Sequence, residues 1–167
     1  MVKKILVAGL FVSTLFASNS IVLDMKQKLT IQYDKETIGF VRHQKIYKYP
    51  SWVAEIKLRS GKKLFFSSPK SMLELYFQPG RWYDLNIKKE SDFKQILVTD
   101  FKTLEPIDAR GAFYVYGSSN TSPAGDDLPA FSTYQRAQEF MQKNNGRRIL
   151  SFDKLSQALI NLLNGRI

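Results

Sequence analysis

The stretch Arg110-Gly-Ala-Phe-Tyr-Val-Tyr-Gly-Ser-Ser-Asn-Thr-Ser-Pro-Ala-Gly-Asp-Asp-Leu-Pro-Ala-Phe131 decides how the rest of the chain is read. Ala112–Tyr116 is β-branched and aromatic, which suits a pleated, half-buried strand. Gly117 breaks that strand, and Ser118–Pro129 is a run of small, polar and turn-forming residues. A connection of this length without structure of its own is long for a compact domain, and such loops are functional or disordered.

Upstream, Trp52-Val-Ala-Glu-Ile-Lys-Leu58 alternates, with Trp52, Ala54, Ile56 and Leu58 on one face and Glu55 and Lys57 on the other. Arg59-Ser-Gly-Lys62 is the expected hairpin turn and Lys63–Phe66 the return strand. Ser68 is a good N-cap, and Pro69 fits the first helical position, where its missing N–H is tolerated. Met72, Leu73, Tyr76 and Phe77 then share a helical face, Pro79-Gly80 ends the helix, and Gln95–Thr99 reads as a strand.

Downstream of the opening stretch the same order returns. Glu105–Ala109 and Ala112–Tyr116 are expected to pair as a hairpin. Ser132 and Gln135 form a capping box for a helix with Tyr134, Ala137, Phe140 and Met141 on one face. Arg147–Phe152 is a strand, and Asp153 is the expected cap of a closing amphipathic helix carrying Leu155, Ala158, Leu159, Leu162 and Leu163. The expectation is an α+β fold of two ββαβ units packed together with a C-terminal helix. The first unit covers residues 47–101, with Leu29–Tyr33 as a short strand in an arm over 21–46, and the second covers 102–167. In the first unit only Ser67 separates Phe66 from the helix cap, so Gly117–Phe131 reads as an insertion before the second helix.

The chain has 167 residues, 44% of them hydrophobic, a formal charge of +10, and no cysteine. Disulfides, thiol catalysis and thiolate metal sites are therefore excluded. The basic balance favours an anionic surface or an acidic partner. No nucleic-acid recognition motif accompanies it. Residues 1–20, with Lys3 and Lys4 before the apolar run Ile5–Ala17, have the pattern of a cleaved secretory signal. With Ser18 rather than cysteine after Ala17, no lipid anchor is expected, and the reading is a soluble periplasmic protein. No phosphate-binding loop, nucleophile elbow or zinc motif is present, so no enzyme is expected.

Ala112-Phe-Tyr-Val-Tyr-Gly-Ser118, Pro123-x-Gly125, Leu128–Phe131, Tyr49-Pro50-x-Trp52 and Phe65-Phe66-x-Ser68-Pro69-Lys70-x-Met72 together resemble the NosL family. Those are periplasmic copper chaperones for nitrous oxide reductase maturation. The resemblance implies two ββαβ units, Cu(I) delivery, and as partners a membrane ABC-type maturation complex and a periplasmic metalloenzyme. It also implies ligands in a Cys-rich motif ending in Met, and a Met in the loop. Here the motif positions hold Gly39, Arg42, His43 and Gln44, Ala124 replaces the loop Met, and Pro129 is displaced by one place.

A guanidinium does not ligate copper. Asp126 and Asp127 are hard donors on what reads as a solvated loop face. The expectation is no cofactor, or Cu(I) bound weakly through Met25 and His43. Partner contact is placed on Gly117, Ser118, Pro123, Gly125, Asp126, Asp127 and Phe131. The alternative is a basic module that binds anionic lipid or polysaccharide.

Overall fold

In the computed structural model, which describes residues 28–166, the alternation of the first unit produces a sheet. The leader expected at residues 1–20, the start of the arm and Met25 lie outside the described residues. Strand β1 (Ala54–Leu58) is central, pairing antiparallel with β2 (Lys63–Phe66) and with β3 (Phe93–Thr99). Gly61, at φ +90°, supplies the left-handed position of the intervening turn. Helix α1 (Pro69–Phe77) returns the chain across the sheet, and Ser68 caps it by accepting from the Ser71 amide at 3.2 Å.

The second unit repeats the topology with different strands from those expected. Strand β4 (Pro106–Asp108) pairs with β3 and completes the first sheet, in the order β2-β1-β3-β4. It therefore makes no hairpin with β5 (Phe113–Tyr116). The partners of β5 are instead β8 (Ala130–Phe131) and β9 (Arg148–Ser151), in the order β8-β5-β9. The order 2-1-3 of the first unit is thus reproduced, and Gly117–Pro129 is an expansion of the second hairpin rather than an insertion before the helix. The expansion has structure of its own, a small ribbon of β6 (Thr121–Ser122) and β7 (Gly125–Asp126) turning at Pro123–Ala124. Leu29–Tyr33 joins no sheet.

Helix α2 (Tyr134–Lys143) is capped by Thr133, one residue later than expected. The amide of Ser132 is already committed to the Asp100 carboxylate at 2.8 Å. Helix α3 (Gln157–Leu163) is capped by Ser156 and not by Asp153, which accepts from the Ser151 hydroxyl in a preceding 3₁₀ turn.

The two units share one core. Ile56, Phe66, Met72 and Leu73 of the first pack in the same cluster as Tyr114, Leu128, Leu155 and Ile160. Burying a side chain such as Phe66 stabilises the fold by about 1.5–3 kcal/mol. Asp100 and Ala130 form a parallel bridge between the sheets, and the Phe101 amide donates to the Ala130 carbonyl at 2.8 Å. Every residue of α1 from Pro69 to Leu75 is buried, because the helix has the first sheet on one side and α3 on another. A helix read as amphipathic is therefore enclosed, including its charged residues.

Candidate functional site

Three separate segments meet at the N-terminus of α1. The first is a tight turn over residues 39–44, closed by the Gly39 amide on the Gln44 carbonyl and the His43 amide on the Gly39 carbonyl, both at 2.8 Å. The Phe40 amide fixes this turn to β2 through the Phe65 carbonyl at 2.6 Å. Gly39 is needed for the close approach, since a Cβ there would lie 3.2 Å from the Ser67 amide nitrogen. The second segment is the β6–β7 ribbon, and the third is the end of α3.

Lys70, the second residue of α1, lies at their junction. Its side chain is buried, and Nζ donates to the Ala124 carbonyl at the ribbon turn (2.7 Å) and to the Leu163 carbonyl at the end of α3 (3.0 Å). Burial pushes the ammonium below its usual pKa, and the nearby Arg42 pushes the same way, while Asp127 and Asp126 counter it. A cation in the first turn of a helix opposes the helix dipole. The compensation comes from Asp127, which is buried rather than solvated: its Oδ1 accepts from the Lys70 and Leu128 amides at 2.8 Å and its Oδ2 from the Ser122 hydroxyl at 2.6 Å. Burial raises the Asp127 carboxyl above its ordinary value, although these donors and Ser68 pull it down.

One turn further along α1 lies a second buried carboxylate, Glu74. Arg42 (3.0 Å), Arg81 (2.6 Å) and Arg166 (3.0 Å) all pair with it, and the Asn164 side chain donates to it at 3.3 Å. Burial alone would raise the Glu74 carboxyl, but the Arg81 hydrogen bond and the Arg42 and Arg166 charges hold it below its usual value. The 39–44 turn is thereby tied to α1 through Arg42 and to the ribbon through Gln44, whose Nε2 donates to the Pro123 carbonyl at 3.4 Å.

The residues expected to meet a partner divide into two groups. Pro123, Gly125 and Asp126 belong to the ribbon, with Gly125 and Asp126 exposed. Gly117 (φ +74°) and Ser118 border a cleft of about 270 Å³ with Arg147, Leu162 and Leu163. Asp127 and Phe131 do not face outward: Asp127 anchors the ribbon from below, and Phe131 is core, stacked near Phe101 and Phe140. His43 is exposed in a left-handed turn at φ +52°. Among the described residues, no three of the His, Cys, Asp and Glu side chains come together as a metal site.

Two ββαβ units of matching strand order, joined through one core and carrying an expanded hairpin at the junction, define the protein class. The NosL family model matches residues 30–160, and the chain belongs to the NosL family. Its fold is similar to the crystal structure of the copper chaperone NosL from Shewanella denitrificans, with a TM-score of 0.67 and 22% identity over 78% of this chain and 98% of that one. No curated protein matches the chain.

The positions at which the family resemblance implies sulfur ligands do converge here. Gln44 touches the ribbon turn, Arg42 lies within electrostatic reach of Lys70, and Ala124 offers only its carbonyl, which Lys70 occupies. A guanidinium, a side-chain amide and a methyl group give no soft donor where the resemblance implies sulfur, which leaves the exposed His43 imidazole as the one donor at those positions suited to copper. Lys70 and Glu74 escaped notice as site residues because Ser-Pro-Lys at a helix start reads as an exposed first turn. The available signals for Lys70 were its place in the Ser68-Pro69-Lys70-x-Met72 stretch and a lysine set against the helix dipole.

Proposed function

We propose that this chain is an exported, non-enzymatic NosL-family accessory protein that presents its β6–β7 ribbon to a protein partner without carrying copper in the family's sulfur site. The supporting observation is that Arg42, Gln44 and Ala124 stand around the ribbon turn where the resemblance implies sulfur ligands. The turn is held by protein groups instead, Lys70 Nζ on the Ala124 carbonyl and Gln44 Nε2 on the Pro123 carbonyl, which gives the ribbon a shape that no metal is needed to set. The partners proposed from the family are a membrane ABC-type maturation complex and the periplasmic metalloenzyme it serves. Pro123, Gly125 and Asp126 supply the contact.

The test is a Cu(I) competition titration against a chromophoric chelator under reducing conditions. No competition by the wild-type chain is expected, and a tight stoichiometric equivalent would overturn the proposal. A weak residual affinity that disappears in His43→Ala would identify His43, with Met25, as the donor instead.

A further inference from the structure

The face of the first sheet turned away from α1 carries a second site. Directly paired strand residues share a face, so Phe65, Glu55, Leu97 and Asp108 form one row across it and Lys63, Lys57 and Gln95 the next. Above these rows lies a cleft of about 410 Å³, walled on one side by Lys28–Thr30 of the arm. That volume falls within the range of about 300–1,000 Å³ common for small-molecule sites. Five of its lining residues are basic: Lys28, Lys57, Lys63, Lys94 and Arg110. Two are acidic, Glu55 and Asp108.

Glu55 is the unusual member. Its side chain is only 2% exposed, and Lys63 Nζ stands 3.6 Å from Oε2, close enough for charge pairing but beyond a hydrogen bond. Among the described residues that oxygen has no hydrogen-bond partner. A buried acceptor left unsatisfied costs about 1–3 kcal/mol and is normally filled. Glu55 lies on the face opposite Ala54 and Ile56, as the alternation predicts, but it is enclosed there. Burial raises its carboxyl above the usual value, against the lowering effect of Lys63 and Lys57.

Lys63 already faces Glu55 and Arg110 pairs with Glu90 at 3.4 Å, so an anion alone would gain chiefly from Lys28, Lys57 and Lys94 and would be repelled by Glu55 and Asp108. A neutral donor would satisfy the carboxylates but gain nothing from the cations. From the unfilled Glu55 oxygen inside a ring of basic side chains we infer that this cleft binds an acidic sugar, meaning a hydroxyl-rich ring bearing a carboxylate or phosphate. The anionic group meets the lysines, and ring hydroxyls donate to Glu55 Oε2 and Asp108. The concave shape and the recessed carboxylate disfavour a flat anionic membrane. The site lies on the opposite face of the sheet from α1 and its junction, so it does not depend on the ribbon's role.

The experiment is a calorimetric titration of the full chain at low and high salt with trigalacturonate, glucose 6-phosphate, maltotriose, sulfate and phosphatidylglycerol vesicles. Binding of at least one acidic sugar is expected, weakened by salt, and the two acidic sugars show whether carboxylate or phosphate is preferred. Maltotriose and sulfate are expected to bind at least about tenfold more weakly. Glu55→Ala should weaken the sugar about tenfold while leaving sulfate unchanged or tighter. Asp108→Asn, at an exposed position, gives the same pattern more mildly and serves if Glu55→Ala fails to fold. Equal binding of sulfate and acidic sugar, equal losses for both ligands in the variants, or vesicle binding without sugar binding would each overturn the inference.

Discussion

Replacing Asp127 by alanine is the sharpest test of the junction at α1. The carboxylate accepts from the Lys70 amide, the Leu128 amide and the Ser122 hydroxyl, all within 2.8 Å, and is fully enclosed. A hydrogen bond to a charged acceptor contributes about 1.5–3 kcal/mol, but three on one group are less than additive. The variant also leaves two buried amide donors unpaired and removes the negative charge that acts most strongly on the Lys70 ammonium. Removing one partner from such an arrangement costs about 3–5 kcal/mol. We expect that loss in urea unfolding, with an unchanged slope, and a melting point lower by about 10–15 °C. Asp127→Asn keeps an acceptor for one amide and relieves the burial of charge, so its loss should be about 1–2 kcal/mol. A loss below about 1 kcal/mol for Asp127→Ala would refute the assignment of this carboxylate as the anchor of the ribbon and the cap of α1.

Further outcomes are expected for acidification and for the neighbouring residues. Glu74 and Asp100 are both held below their ordinary values against the effect of burial, Glu74 by the Arg81 hydrogen bond and the Arg42 and Arg166 charges, Asp100 by hydrogen bonds from Ser132 and from the Thr103 and Lys102 amides. Their stabilisation is present above the unfolded carboxylate range near about 4 and is lost as pH falls through the lower folded values. Urea midpoints measured on acidification should therefore drop steeply, and Glu74→Gln should flatten that slope. Asp127, shifted upward, acts in the opposite sense, so Asp127→Asn should make the acid loss steeper. Phe131→Ala should cost about 3–5 kcal/mol as a core deletion, whereas Asp126→Ala should stay within about 0.5 kcal/mol by thermal melting.

The local chemistry of the first unit was legible. Alternation gave β1, Ser68-Pro69 gave the start of α1, and Gly61 gave the turn, because each depends on neighbours in sequence. Pro106–Asp108 was misassigned because a short edge segment carries no mark of which sheet will take it. The true second strand of the later unit, Ala130–Phe131, is two residues long and hidden behind thirteen residues of turn-forming sequence. Ser132 looked like the better cap, but its hydroxyl accepts from the Arg136 guanidinium and its amide donates to Asp100, distant in sequence. The α1 junction was illegible for the same reason: Lys70, Glu74 and Asp127 draw their meaning from partners far along the chain. Asp126 and Asp127 are adjacent, yet only the fold tells the exposed one from the buried one.

The end of α3 has a consequence for the order in which the molecule can be made. Asn164 accepts from Arg42 across 122 positions of sequence, Arg166 reaches Glu74 across 92, and the Leu163 carbonyl receives Lys70 across 93. Contacts of such separation form late, because the loop they close must be ordered first. The first unit can form its strands and its helix from neighbouring residues before the distant groups that neutralise the buried charges on that helix are brought to it. Until residues 163–166 are in place, Lys70 and Glu74 lack part of their complement of partners. Residues 163–166 thus act as the latch that completes the surroundings of α1.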